Sequence, residues 1–398
     1  MKQQHRLAAG LVGFSLMLGG AQAQTIRLQP VSPAQAPVAT PKPAQTPQGK
    51  PAAPEPVPLG LESRLISIGG KLAEPAAWSA YKQRFLTEQG RIIDTANHGI
   101  SHSEGQGYGM LLAVAANDRA SFERIWGWTR ANLKIRDDGL LAWRFDADKR
   151  PGITDVNNAT DGDILVAWAL AEAGEFWSFA PYSVASHRMV SAIASHVMLP
   201  KTAFGNLLLP GASGFDAKEQ GGAPVVNLSY FIFPAFTRFK QMAPDIDWDT
   251  LTTSGLKLLR NARFSPAKLP SEWIKVDGKK LAPANGFPAV FGYNAIRIPL
   301  YMAFAGIGER DDYAPFAQVW TSDAASMTVI NLDTGKPQSM MGEPGYSAIA
   351  ALTRCITSNQ PFPPLARIFS PNQNYYPATL QLLSILAAKA RYPTCVPK

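Results

Sequence analysis

Cysteine and histidine are scarce in this chain, and neither is arranged as a metal site. The 398 residues include two cysteines, Cys355 and Cys395, and five histidines. The cysteines lack metal-ligand spacing, and no two histidines form a helical pair beside a glutamate. We therefore predict no catalytic metal and no cofactor. The cysteines leave two alternatives, one disulfide near the C-terminus or two buried thiols, and spacing alone does not decide between them.

Runs of lysine and arginine are also missing. The formal net charge is +8 at pH 7, but the positive residues are scattered along the chain. Nucleic-acid-binding proteins concentrate their positive charge on one face or one helix. The pattern therefore predicts no nucleic-acid partner, and the excess charge is expected to serve solubility or weak attraction to anionic surfaces.

The apolar run near the N-terminus, residues 7–18, is too short for a membrane span. It follows Lys2 and Arg6 and leads into small residues that end at Ala23. A spanning helix needs about 20 apolar residues, whereas this arrangement is typical of a secretory signal peptide. An uncleaved anchor is the alternative. We expect residues 1–23 to be removed and the mature chain to be exported, to the periplasm or beyond, without a membrane span.

Bulky apolar residues are rare from residue 24 to residue 60, where Pro, Ala, Gln and Thr dominate. Such a composition buries too little surface to offset the entropy of ordering. We interpret residues 24–60 as an extended, disordered linker. Residues 61–398 are predicted to form the folded domain.

Strand-like alternation is sparse in residues 61–398, and helical spacing of apolar residues is frequent. Alanine-rich stretches such as residues 111–116 are apolar on almost every side, which indicates helices buried between neighbours. We therefore predict an all-α fold, although spacing does not say whether the helices close into a ring. The predicted helices cover residues 76–88, 103–116, 121–133, 161–173, 183–197, 228–242, 248–261, 295–305, 314–325, 346–357 and 376–390.

Two of these helices begin in the same way. Residues 103–106 read Ser-Glu-Gly-Gln and residues 160–163 read Thr-Asp-Gly-Asp. Each tetrapeptide resembles a capping box, with Ser or Thr as the N-cap residue. Capping does not require Glu104 or Asp161, each of which is followed by a glycine that permits close approach of another group. These two acids are candidates for chemistry, although an acid here also favours the helix dipole.

The longer motifs resemble glycoside hydrolase family 8. Residues 103–110 (SEGQGYGM) are similar to the segment that carries its proton donor, and residues 159–163 (ATDGD) to its signature. Further similar segments are residues 139–143 (GLLAW), 227–230 (NLSY) and 293–299 (YNAIRIP). The resemblance is strongest to exported endoglucanases associated with bacterial cellulose synthases. It implies an (α/α)6 barrel with a sugar-binding cleft at the inner-helix N-termini, and makes residues 61–398 the catalytic domain.

The resemblance also implies roles for individual residues. Glu104 is expected to be the general acid, and Asp161 to raise the pKa of Glu104 and to hold a distorted sugar ring. A lone aromatic residue most often packs in a core, but the motif context favours a sugar contact. The expected substrate-binding residues are Trp143, Tyr230, Tyr293, Arg297 and Tyr376.

One position departs from the family pattern. The residue at Asn294 is an Asp in the family's cellulases, where it is the general base, and an amide is not basic enough for that role. Three readings remain open: an inactivating change, a base supplied by an inserted loop, or a protein that binds glucan without cutting it. The first reading predicts that Asn294→Asp raises hydrolysis. The loop carboxylates to consider under the second are Asp216, Glu219, Glu272 and Asp277.

The resemblance therefore implies an endo-β-1,4-glucanase that acts with inversion on a cellulose-like glucan during polymer export. Its implied partners are the β-1,4-glucan chain and the cellulose synthase complex. The alternative is a catalytically impaired protein that binds or scaffolds glucan in the same assembly.

Overall fold

The computed structural model describes residues 65–72, 74–320 and 327–396. The predicted signal peptide and linker lie outside these ranges, as does the end of the predicted helix 314–325. No helix in the described ranges is both long enough and apolar enough to cross a membrane.

Six helices form a closed inner ring. Each ring helix contacts the ring helix that follows it in the chain, and the last of them, α12, contacts the first, α2. The ring is built from α2 (Ser103–Ala115), α4 (Thr160–Phe176), α6 (Phe233–Met242), α8 (Arg297–Ala305), α10 (Ser347–Ser358) and α12 (Tyr375–Arg391).

The other helices alternate with the ring helices along the chain and pack outside them. Among the described residues these are α1 (Pro75–Phe85), α3 (Arg119–Asn132), α5 (Ala180–His196), α7 (Trp248–Asn261), α9 (Arg310–Val319) and α11 (Pro364–Arg367). For example, α3 packs on α2 and α5 on α4. The fold is an (α/α)6 barrel, so the predicted fold class is confirmed.

The inner helices are buried on nearly every side because both ring neighbours and an outer helix cover them. In α4 every residue from Thr160 to Gly174 is buried. By contrast, α7 buries one leucine-rich face and exposes the other, the pattern of an outer helix. The alanine-rich sequences thus mark the inner ring.

Short antiparallel strands lie in the connections that lead from an outer helix to the next inner helix. These connections converge on the N-terminal ends of the inner helices. The described sheets pair β1 with β2, β3 with β4, β5 with β6 and β7, and β8 with β9 and β10. The strands are β1 (Ser101–His102), β2 (Arg144–Phe145), β3 (Met198–Thr202), β4 (Gly205–Leu208), β5 (Val225–Val226), β6 (Ile274–Asp277), β7 (Lys280–Pro283), β8 (Val290–Phe291), β9 (Thr328–Asn331) and β10 (Lys336–Met340).

Most predicted helix boundaries lie within a few residues of the observed ones, but one predicted helix is interrupted. The predicted helix 228–242 is interrupted, because a 3-10 turn over Leu228–Tyr230 ends before α6 begins at Phe233. The predicted helix 295–305 begins at Arg297. Arg297 is thereby the first residue of α8.

The two cysteines are joined. Cys355 and Cys395 form a disulfide with a Cα–Cα distance of 5.8 Å. The bond ties the end of α10 to the C-terminal segment that follows α12. Of the two alternatives left by the sequence, the disulfide is therefore correct and the pair of free thiols is wrong.

Candidate active site

Arg297 is the centre of a buried polar cluster at the N-terminal end of the ring. Its side chain is 1% exposed. One terminal nitrogen, Nη1, donates to Glu104 Oε2 and, at 2.9 Å, to Asp161 Oδ2. The other, Nη2, donates to Ser229 Oγ at 3.0 Å and to Asn294 Oδ1 at 2.9 Å. The first turns of α2, α4 and α8 thus meet at one guanidinium group.

Glu104 and Asp161 therefore lie close together, as the similar sequences at the starts of their helices suggested. Each is the second residue of its helix, and both accept from the same nitrogen of Arg297. Burial raises the pKa of Glu104 to about 7, the charge of Asp161 adds to the rise, and Arg297 opposes it. A carboxyl group with this pKa is largely protonated below neutral pH, which is the state that a general acid needs.

Two glycines allow α2 and α4 to approach closely enough for this contact. A Cβ added at Gly162 would lie 2.0 Å from Ser103 Oγ and 2.7 Å from the main-chain nitrogen of Glu104. A Cβ at Gly107 would lie 2.5 Å from Leu165 Cβ. Only a residue without a side chain fits these positions, so the glycines in the two motifs bring the acids together.

The predicted capping boxes are wrong. The N-cap residue of α2 is His102, whose Nδ1 accepts from the Gly105 N–H at 3.0 Å, and the N-cap of α4 is Ala159. Gln106 and Asp163 instead reach across to neighbouring connections, where they accept from the Ile92 and Leu141 N–H groups. Both residues fasten loops to helices and do not cap them.

Asn294 is bridged to a carboxylate. Glu272 Oε1 accepts from the main-chain N–H of Asn294 at 2.7 Å, and Glu272 Oε2 accepts from its side-chain Nδ2 at 3.2 Å. Burial raises the pKa of Glu272, while the N–H groups of Asn294 and the charge of Arg297 lower it. A chain of hydrogen bonds thus runs from Glu104 through Arg297 and Asn294 to Glu272.

The connection that carries Glu272 is firmly held. Its main-chain N–H donates to Val290 O at 3.0 Å, next to the start of α8. The following residue, Trp273, stacks between Phe215 and Phe287, with ring centroids 5.6 and 4.6 Å apart. Glu272 is therefore fixed at the edge of the cluster by main-chain pairing and by an aromatic stack.

The other three loop carboxylates have different surroundings. Asp216 and Glu219 lie in one loop, where Asp216 accepts from the Glu219 N–H, and Glu219 accepts from the Gly214 N–H at 2.7 Å. Asp277 is exposed at the turn between β6 and β7. Of the four candidates, Glu272 is the carboxylate that contacts Asn294.

The predicted aromatic residues surround the cluster. Tyr230 places its ring 5.7 Å from the Arg297 guanidinium, and the Tyr376 hydroxyl donates to Tyr293 O at 2.7 Å. Trp143 is half-buried, with its Nε1 donating to Asp155 Oδ2 at 2.9 Å. Its main-chain oxygen accepts from the Ser103 N–H, which places Trp143 beside the start of α2. All eight predicted site residues thus lie at the same end of the barrel.

The sequence interpretation missed His102 as part of this site. Its Nε2 lies 3.4 Å from Asp94 Oδ2 and its Nδ1 lies 3.9 Å from Glu104 Oε1. Proximity to Glu104 in the chain was the available signal, but a histidine N-cap is not among the favoured capping residues. Within the described ranges, no cluster of three or more His, Cys, Asp or Glu side chains could hold a metal ion.

Comparison with known proteins identifies the family. The sequence matches Glycosyl hydrolases family 8 over residues 58–390. A probable endoglucanase of Novacetimonas hansenii is 34% identical over 335 residues, covering 82% of this chain and 95% of that protein. An endoglucanase of Cellulomonas uda is 35% identical over 338 residues, covering 80% and 90%.

A solved structure agrees with these sequence matches. The endo-beta-1,4-glucanase CMCax from Acetobacter xylinum superposes with a TM-score of 0.73 at 33% identity, over 81% of this chain and 99% of that chain. Three observations point to the same family: the ring of helices, the acids at its N-terminal end and the sequence match over most of the chain. The chain is a glycoside hydrolase and belongs to glycosyl hydrolase family 8.

Proposed function

We propose that this protein is an endo-β-1,4-glucanase that cleaves glucan with inversion. The observation that carries the proposal is the hydrogen-bond chain with a carboxyl group at each end, Glu104 and Glu272. Inverting glycosidases need two carboxyl groups on opposite faces of the sugar, with room between them for a water molecule. The β-1,4-glucan specificity is supported by the names of the relatives, which are endoglucanases.

Glu104 is proposed to be the general acid. Its pKa of about 7, raised by burial, keeps it protonated until the leaving glycosidic oxygen takes the proton. Asp161 lies beside it and is proposed to bind hydroxyl groups of the sugar at the cleavage point and to hold that ring distorted. Arg297 fixes both carboxyl groups and offsets their mutual repulsion.

Glu272 is proposed to be the general base in place of the Asp expected at position 294. An Asp side chain at that position would end about 3 Å from the Glu272 carboxylate, the length of the present hydrogen bond. Glu272 therefore occupies almost the place where the missing carboxylate would act. Asn294 then orients the base, since its amide donates to Glu272 and accepts from Arg297.

The same geometry bears on the readings left open by the sequence. The inactivating reading assumes that position 294 supplies the only base, whereas a second carboxylate, Glu272, contacts Asn294 through two hydrogen bonds. The observation favours a base supplied by a connecting segment. It argues against a glucan-binding protein that has lost catalysis, although such a protein remains the second candidate to be tested.

The proposed setting is an exported enzyme that trims β-1,4-glucan as a cellulose synthase complex delivers it. Support comes from the resemblance of the N-terminal residues to a signal peptide and from the similarity to the exported branch of the family. Trp143, Tyr230, Tyr293 and Tyr376 are proposed to line the glucan subsites. An aromatic floor suits the apolar faces of glucose units.

The test is hydrolysis of carboxymethylcellulose by the unaltered chain, by Glu272→Gln and by the matched control Glu219→Gln. The unaltered chain and the control should release reducing sugar, and Glu272→Gln should lose about 10² to 10⁴-fold in rate. NMR of freshly cleaved cello-oligosaccharide should show the α-anomer first, which identifies inversion. Binding of cello-oligosaccharide without any cleavage by the unaltered chain would instead support the scaffolding protein.

A further inference from the structure

His102 has an unusual position next to the proposed acid. It ends β1, precedes α2 and is 14% exposed through its side chain. Its Nδ1 accepts from the Gly105 N–H at 3.0 Å, and its Nε2 lies 3.4 Å from Asp94 Oδ2. The imidazole is thus held between a main-chain donor and a carboxylate.

These two contacts define the protonation state of the ring. A ring nitrogen that accepts an N–H carries a lone pair, so the proton of neutral His102 lies on Nε2 and faces Asp94. A second proton would have to bind to Nδ1, which would then lose the Gly105 N–H. As a new donor, Nδ1 would face Glu104 Oε1, which is 3.9 Å away.

The groups around the ring favour a second proton. Burial lowers the pKa of His102, but the hydrogen bond to Asp94 and the charges of Glu104 and Asp161 raise it above its ordinary value. The pKa of Glu104 is raised to about 7, and the charge on each of the two side chains favours the charged form of the other. Four titratable or charged groups face this pair: Asp94, Asp161, Arg297 and Tyr375. Asp94 lies in the loop before β1 and contacts His102, whereas Asp161 of α4 and Arg297 of α8 lie on the side of Glu104. The ring centroid of Tyr375, in α12, lies 5.6 Å from that of His102.

We propose that His102 and Glu104 share one proton, and that the His102–Asp94 pair thereby sets the upper pH limit of catalysis. In the productive state Glu104 holds the proton while neutral His102 accepts from Gly105. In the unproductive state His102 holds the proton and donates towards ionised Glu104. His102 is a positioning residue here, and the inference rests on the acid role proposed for Glu104.

The first test is the pH profile of kcat/KM for His102→Asn and His102→Ala. An Asn N-cap retains an acceptor for the helix but cannot titrate, whereas Ala has neither property. Both variants should move the alkaline limb upward by about one pH unit, since an opposite charge at this distance shifts a carboxyl pKa by 1 to 3. A purely capping role predicts a wild-type profile for Asn and a loss at every pH for Ala, which would overturn the proposal.

The matched control is His98→Asn. His98 is exposed in a nearby loop with a backbone φ of 52°, a conformation that Asn also adopts. This variant should leave the alkaline limb where it is. A limb that moves equally in His98→Asn and His102→Asn would overturn the assignment to His102.

The second test does not depend on activity. Nitrogen NMR of the imidazole rings in the full chain should show His102 as the Nε2–H form at high pH, with a titration midpoint that falls by about one pH unit in Glu104→Gln. An unchanged midpoint would overturn proton sharing. If Glu104→Gln keeps full hydrolytic activity, the acid role itself is wrong, and the NMR midpoint still decides whether the proton is shared.

Discussion

Both oxygens of the Glu272 carboxylate accept hydrogen bonds from Asn294, one from the main-chain N–H and one from the side-chain amide. An amide suits this contact because it can donate to Glu272 and accept from Arg297 at once. An aspartate could do only the second, and it would repel Glu272. The departure from the family motif at position 294 therefore has a structural counterpart 22 residues earlier in the chain.

We predict that Asn294→Asp alone does not raise hydrolysis. Two carboxyl groups at hydrogen-bonding distance share a proton, so the variant gains no free base at neutral pH. In the Glu272→Gln background, the same Asn294→Asp change should raise kcat at least tenfold above that of Glu272→Gln, since the new carboxylate then has no second carboxylate beside it. Steady-state rates on carboxymethylcellulose for the two single variants and the double variant give the answer. A large gain in the Asn294→Asp single variant would instead support the inactivating reading.

The sequence was sufficient for most of the helices and for the position of the two acids at helix starts. Apolar spacing identified the buried helices, and the Glu-Gly and Asp-Gly pairs pointed to Glu104 and Asp161. Ring closure could not be read from spacing, because it depends on contacts between α12 and α2 that are far apart in the chain. Closure entered the prediction only through the family resemblance.

Tertiary contacts explain the remaining differences. Glu272 was one of four candidate loop carboxylates, and its contact with Asn294 depends on tertiary pairing of its connection, such as its main-chain hydrogen bond to Val290. The capping boxes failed because Gln106 finds better partners in the connection before α2, at Ile92 and Gly90. Local propensity was thus overridden by the need to fasten long connections to the barrel.

We predict that Glu104→Gln lowers kcat by about 10² to 10⁴-fold on cello-oligosaccharides and affects KM little. The unaltered enzyme should lose activity as the pH rises through about 7, because the raised pKa of Glu104 makes the proton available only below that value. An aryl cellobioside with an acidic leaving group needs little protonation, so Glu104→Gln should cleave it at a much smaller disadvantage. Equal losses on both substrates would remove the acid role from Glu104.

We predict that Trp143→Ala weakens binding of a cello-oligosaccharide by about 1 to 3 kcal/mol, the range for burial of a large apolar side chain. Trp143 is half-buried beside the start of α2, where a glucan chain would cross. Trp177 is a matched control, because it is also half-buried with its Nε1 bonded to a polar partner but lies at the opposite end of α4. Calorimetry should show weaker binding for Trp143→Ala and unchanged binding for Trp177→Ala.

We predict that Gly162→Ala destabilises the fold by about 1 to 3 kcal/mol, as expected for overpacking of a buried contact. The added methyl group would lie 2.0 Å from Ser103 Oγ and 2.7 Å from the Glu104 main-chain nitrogen, so α2 and α4 must separate. Separation moves Glu104 away from Asp161, and kcat should fall along with stability. Gly127→Ala in α3 is the control, since its new methyl group meets nothing within 4 Å and a helix favours alanine over glycine. Urea unfolding should therefore show a lower midpoint for Gly162→Ala and an equal or higher midpoint for Gly127→Ala. The opposite order would mean that the close approach of α2 and α4 does not stabilise the fold.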